Sequence, residues 1–223
     1  MSEYENKINS VRKLLINWYK KNGKDFPWRC TSDPYKIMIA EFMLHRTRAQ
    51  QVVPVYNDFI EKFPDIFALS KAKKEEVQKY TKTLGLHWRY KHFIESSTYI
   101  LENFNGNFPD DYRLLSTIPG IGEYISRAIS IITYKKPAPV VDSNIARFLN
   151  RFFNLGVNGE IRRKEIIVRK SEEFFKTRNC DKLLFSVIDF CAFICKPRKP
   201  LCEICMLNTF CEYYLLDSNR NTR

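Results

Sequence analysis

No run of apolar residues approaches the roughly 18 that a helix needs to span a bilayer. The N-terminus also lacks the basic, then apolar, then small-residue pattern of a secretory signal. A soluble, intracellular protein is expected, with no membrane partner. Histidine is scarce: His45, His87 and His92 are the only three, and none lies near the cysteines. Runs of β-branched residues between turns are missing apart from short pieces such as Val140-Val141, which leaves little material for a sheet. Internal repeats, low-complexity tracts and long linkers are absent as well.

What is present begins with cysteine. Seven in 223 residues are too few, in too long a chain, for a secreted disulfide scaffold. Four of them, Cys195, Cys202, Cys205 and Cys211, form a C-x6-C-x2-C-x5-C array near the C-terminus. A structural zinc site is normally built from two short paired arms separated by a longer span. Here one tight pair is flanked by two intermediate loops, so four thiolates within 17 residues fit a [4Fe-4S] cluster better than a zinc ion. Cys30, Cys180 and Cys191 are expected to be buried thiols.

The charge balance points to a polyanionic partner. Lysine and arginine number 37 against 25 aspartates and glutamates, a formal net charge of +12. Lys196, Arg198 and Lys199 cluster in the loop between the first two array cysteines, where they can hold phosphates.

The hydrophobic period is helical almost throughout. Ile8, Val11, Leu15 and Trp18 share one face of a first helix that breaks at Asn22-Gly23. Asp33-Pro34 opens a second, predicted from Tyr35 to about Gln51. Further helices are predicted over about 52–62, 74–83, 89–104, 111–117, 123–133, 143–154, 161–177 and 181–191. The expected fold class is therefore all-α.

Three motifs carry chemistry. In Leu115-Ser-Thr-Ile-Pro-Gly-Ile-Gly-Glu-Tyr124, Pro119 stops the incoming helix. Gly120 and Gly122 permit a turn whose backbone N–H groups can approach a phosphate with no Cβ in the way. The segment reads as a helix-hairpin-helix. In Val140-Val-Asp-Ser-Asn144, Asp142 stands at an N-cap position, where backbone N–H groups and the helix dipole hold a carboxylate ionised. Such a group suits a developing glycosyl cation, although capping alone explains it locally. Glu41 interrupts Ile37-Met-Ile-Ala40 and Phe42-Met-Leu44, so it is expected to face a cavity or the core. Apolar surroundings raise a carboxyl pKa toward that of a general acid.

Phe26-Pro-Trp-Arg29, Asp33-Pro-Tyr35, Ala40-Glu-Phe-Met-Leu44, the hairpin, Val141-Asp-Ser-Asn144 and the cysteine array occur in the order seen in the endonuclease III superfamily of DNA glycosylases. The chain resembles that superfamily over nearly its whole length. The resemblance implies two helical domains with an active-site cleft between them. One, over 28–135, is a six-helix barrel containing the hairpin; the other, from 1–27 and 136–223, carries a [4Fe-4S] cluster on Cys195, Cys202, Cys205 and Cys211. It implies Glu41, Tyr124, Asp142 and Asn144 as catalytic residues. Gly120, Gly122, Lys196, Arg198 and Lys199 are implied to hold the DNA backbone. Arg46 and Leu86 would probe or fill the vacated base stack, with His45, His87 and Trp88 beside them. The implied partner is double-stranded DNA with a mismatched or damaged base, met by a monomer in a nucleoid-associated cytoplasmic setting.

The lyases of this superfamily carry a nucleophilic lysine two residues after the second hairpin glycine. Tyr124 stands there instead, so the resemblance implies a monofunctional hydrolase, with Lys135 and Lys136 as sources of at most weak lyase activity. Of the two monofunctional branches, Met43-Leu-His-Arg-Thr47 is similar to the L-R-R-T of archaeal G:T mismatch thymine glycosylases, with His45 departing from arginine. MutY-type adenine glycosylases, acting on A:G or A:8-oxoguanine, usually read M-L-Q-Q-T there. They tend to have tryptophan at the position of Met38 and add a C-terminal domain, whereas this chain ends a dozen residues after Cys211. A non-catalytic iron–sulfur DNA-binding module is a third reading, but it has no need of Glu41, Tyr124, Asp142 and Asn144 together.

Overall fold

The computed structural model describes residues 2–85 and 89–221, with side chains to 216 in the last helix. Leu86, His87 and Trp88 lie outside the described residues. Among the described residues the regular structure is helical throughout, without strands. The chain divides into two units, one formed by 25–134 and the other by 1–24 together with 135–223.

The contiguous unit holds α2 (Pro34–Leu44), α3 (Ala49–Lys62), α4 (Ile66–Ser70), α5 (Lys74–Thr83), α6 (Tyr90–Phe104), α7 (Tyr112–Leu115) and α8 (Glu123–Tyr134). Asp33 opens α2 by accepting from the Tyr35 amide at 2.9 Å, and Pro34 presets the first turn. Apolar side chains occupy nearly the whole circumference of α2, with Ile37, Met38, Ile39, Ala40, Phe42 and Met43 all buried. It is accordingly a central helix, packed on α3, α6 and α8. Phe42, Phe59 and Phe93 meet at centroid distances of 5.1 and 5.3 Å.

The other unit holds α1 (Glu3–Asn22), α9 (Ser143–Phe152), α10 (Glu165–Phe175), α11 (Cys180–Phe193) and α12 (Glu212–Asn221). Ile8, Val11 and Leu15 bury one stripe of α1, which packs on α11, and Trp18 sets its edge against Phe190 at 5.6 Å. Phe148 and Phe152 carry α9 onto the same core through Phe174 and Phe190.

Several expectations are corrected. The helix predicted from Tyr35 to Gln51 is two helices: α2 stops at Leu44, and Arg46 turns the chain with a left-handed backbone, φ 63°. No glycine or proline marks that turn. The segment 161–177 opens as a tight 3-10 turn over Ile161–Arg163, and α-helix starts only at Glu165. The helix expected over 143–154 ends at Phe152, with Asn154 left-handed just after it. Cys30 is exposed, whereas Cys180 and Cys191 are buried.

Candidate active site and cluster loop

In the contiguous unit the candidate residues sit on two packed helices. Glu41 is half-buried in the third turn of α2, between buried Ala40 and Phe42, while Tyr124 is half-buried in the first turn of α8. The helices carrying them pack directly on each other. One turn beyond Glu41, exposed His45 meets the Arg89 guanidinium through Nδ1 at 2.7 Å, and exposed Arg46 follows. Burial lowers the Arg89 pKa, and the Arg46 charge lowers it further.

The hairpin forms as its sequence demands. Ile118 and Ile121 bury themselves in the unit, and the Ile121 amide closes the turn on the Ile118 carbonyl at 3.0 Å. Gly120 takes φ 79°, and a Cβ there would come within 2.6 Å of the His92 Cβ. Glycine is thus required both by conformation and by space. Ser96 Oγ donates to the Pro119 carbonyl at 2.6 Å, fastening the turn to α6. Gly122 is exposed with open space around it, leaving its backbone accessible.

In the other unit Asp142 caps α9, accepting from the Ile145 amide at 2.7 Å and from Asn144 Nδ2 at 3.2 Å. Asp142 is half-buried, and the desolvation of its carboxyl pushes the pKa above the ordinary aspartate value. The hydrogen bonds from Ile145 and Asn144, with the charge of Arg147, pull the other way. Desolvation outweighs the cap and the dipole, contrary to the expectation from sequence. Arg147 Nη2 donates to Asn144 Oδ1 at 3.1 Å and to the Cys195 carbonyl at 3.1 Å, and its Nε donates to that carbonyl at 3.2 Å. A continuous hydrogen-bonded path therefore runs from Asp142 through Asn144 and Arg147 to the first array cysteine.

The four array cysteines line one cavity, together with apolar side chains including Phe148, Ile194 and Leu207. Burial raises the Cys205 thiol to about 11 and also raises Cys211, and charge on the neighbouring array cysteines adds to both. A cationic centre relieves this penalty, since a metal-bound thiol ionises outright. Among the described residues no three His, Cys, Asp or Glu side chains close on a single metal ion. Four soft thiolate donors around one shared apolar cavity fit an iron–sulfur cluster. Arg151 ties the loop down: it donates to the carbonyls of Lys196 at 2.7 Å and Pro197 at 2.9 Å, and it lies 3.7 Å from Cys195 Sγ. Lys199 takes φ 49°, and Arg198 and Lys199 stand exposed on this loop beside half-buried Lys196.

The structure thus places Glu41, His45, Arg46, Gly120, Gly122 and Tyr124 in one unit. Asp142, Asn144, the basic loop and the cysteines fall in the other. Arg147 and Arg151 escaped the sequence reading. A signal existed: Asn144, Arg147 and Arg151 share one face of α9, flanking its Ile145, Phe148, Leu149 and Phe152 stripe.

Comparison with known proteins follows the same pattern. Residues 39–176 match the HhH-GPD superfamily base excision DNA repair protein family, and 195–211, the span of the array, match the iron–sulfur binding domain of endonuclease III. A thymine-DNA glycosylase of Aeropyrum pernix is 36% identical over 93% of this chain and 96% of its own. A thymine/uracil-DNA glycosylase of Methanothermobacter thermautotrophicus is 31% identical over 92% and 96%. The solved structure of a thermostable thymine-DNA glycosylase superposes with a TM-score of 0.89 at 29% identity, covering 96% of this chain and all of that one.

Proposed function

Because the chain belongs to the HhH-GPD superfamily of base excision DNA repair proteins, we propose that it hydrolyses the N-glycosidic bond of thymine or uracil mispaired with guanine in duplex DNA. It leaves an abasic site and an uncut strand. The observation that carries this reading is the half-buried, doubly hydrogen-bonded carboxylate of Asp142, with tyrosine rather than lysine at 124. The relatives named for thymine and uracil supply the choice of base.

DNA is captured electrostatically, with the hairpin amides near Gly120 and Gly122 and the side chains of Lys196, Arg198 and Lys199 on its phosphates. The mispaired nucleotide leaves the stack at a cost of a few kcal/mol, which the mispair itself reduces. Arg46, beside His45, probes the vacated position. As the bond between C1′ and the pyrimidine N1 breaks, its electron pair departs with the base and positive charge develops on the sugar. Asp142, as a carboxylate, offsets that charge. Water then bonds to C1′ and loses a proton, which Asp142 accepts and returns to solvent. Asn144 fixes the carboxylate, Glu41 donates a hydrogen bond to the departing base, and Tyr124 holds the nucleotide. When bound, the cluster supplies iron–thiolate bonds that fix the 195–211 loop. The protein acts as a monomer, in the cytoplasm at the nucleoid.

Asp142→Asn tests this directly. It keeps a competent cap but removes the charge, and single-turnover excision should fall about 10³-fold, the scale of a lost electrostatic stabiliser. Undiminished excision by this variant would remove Asp142 from the chemistry.

A further inference from the structure

The segment between α9 and α10 reads Leu155-Gly-Val-Asn-Gly-Glu-Ile-Arg-Arg-Lys164, and none of its charges has a part in the reading above. Gly156 and Gly159 both take positive φ with open space around them. The 3-10 turn Ile161–Arg163 packs on α9, the helix that Asp142 caps, and on α10. Arg162 makes a two-pronged pair with Glu160, Nε to Oε1 at 2.8 Å and Nη2 to Oε2 at 2.5 Å, and both side chains are about half exposed. Next to it, Arg163 and Lys164 are exposed, and the Arg163 charge also acts on the Glu160 carboxylate. Glu160 is the main partner of the Arg162 charge, but the Asp142 carboxylate also reaches it.

An unneutralised cation on the turn that packs on α9, the helix Asp142 caps, would oppose the positive charge that Asp142 must offset. In the free protein Glu160 neutralises it. The sugar served by Asp142 is joined to a phosphate on each side, and a phosphodiester presents the same charge and the same pair of oxygens as a carboxylate to a guanidinium fork. We propose that Arg162 is a phosphate-binding residue that exchanges Glu160 for a DNA backbone phosphate next to the extruded nucleotide, with Arg163 and Lys164 extending the contact. Glu160 is then a built-in competitor that DNA must displace. The inference rests on the reading of Asp142 as the residue that serves a DNA sugar.

The test is the affinity of the cluster-loaded protein for a duplex carrying a tetrahydrofuran abasic analogue, followed by fluorescence anisotropy from 50 to 200 mM KCl. Arg162→Gln should weaken binding ~10-fold near 100 mM and flatten the log–log salt slope by about 0.9, one phosphate contact. Arg162→Lys should restore the slope. Glu160→Gln should tighten binding about 2- to 5-fold, because only a competitor is lost. Equal weakening by both neutral variants with an unchanged salt slope would overturn the proposal and make the pair a static brace. Because binding is measured apart from chemistry, a slope change at Arg162 supports the phosphate contact even if G:T and G:U duplexes prove not to be substrates.

Discussion

Asp142 meets two opposed demands. The proposed excision needs it ionised, while desolvation favours the protonated form. Between the ordinary aspartate range and its own raised value, the native state holds a proton that the unfolded chain has released. The stability this group contributes is thus fully present below about pH 3.9 and is lost as pH rises through the native pKa. Two outcomes follow. The acid limb of single-turnover excision should lie above the ordinary aspartate range. Asp142→Asn should melt at a temperature equal to or above that of the parent near pH 7.5, a difference that closes as pH falls toward 4, measured by thermal unfolding at both pH values. A variant that is inactive and also clearly less stable at neutral pH would mean that the carboxylate is structural. At this scale Asp142 and Glu41 were both visible from their neighbours in the sequence, but the direction of the Asp142 shift was not. Capping hydrogen bonds are local and legible, whereas desolvation depends on what α9 packs against.

At the scale of elements, helix starts were legible where a side chain caps them, as Asp33, Asp111 and Asp142 do. The break between α2 and α3 was not, because the strained position is filled by Arg46 instead of glycine. The short α4 and the terminal α12 were missed as well; a five-residue helix has too little periodicity to register. Two elements carry predictions. In the hairpin, Gly120→Ala meets both a left-handed φ and the His92 side chain, so affinity for undamaged duplex should fall at least ~10-fold, a cost in line with backbone strain of 1–3 kcal/mol. Binding equal to that of the parent would show that the turn does not need its glycine. On α9, Arg147→Ala severs the path between Asn144 and the Cys195 carbonyl. Excision should drop about 10- to 100-fold, the usual effect of losing an outer-shell partner. The iron-to-protein ratio should stay close to that of the parent, because Arg151 still holds the loop. Iron loss in step with activity would make Arg147 a brace for the cluster alone.

For the whole molecule, the candidate set is divided between a unit of contiguous chain and a unit made from both ends. That division explains why composition and periodicity alone showed helices but no site. The residues proposed for the function lie far apart in sequence, and only the resemblance groups them. No helix among the described residues is long and apolar enough to cross a membrane. Each unit has its own aromatic core, so removing iron with a chelator should raise amide exchange across 195–211 and along α9 while sparing 25–134. Uniform loss of protection would instead mean that the cluster supports both units. The central claim, that this chain removes thymine or uracil opposite guanine and leaves the strand intact, is tested most directly with end-labelled duplexes. These carry G:T, G:U, A:G and A:8-oxoguanine, are incubated with the cluster-loaded protein, and are compared before and after hot alkali, with a parallel borohydride trap. The account predicts breaks at T and U opposite G only after alkali, and no stoichiometric trapped complex. Breaks at adenine alone, breaks without alkali, or a trapped complex in stoichiometric yield would contradict it.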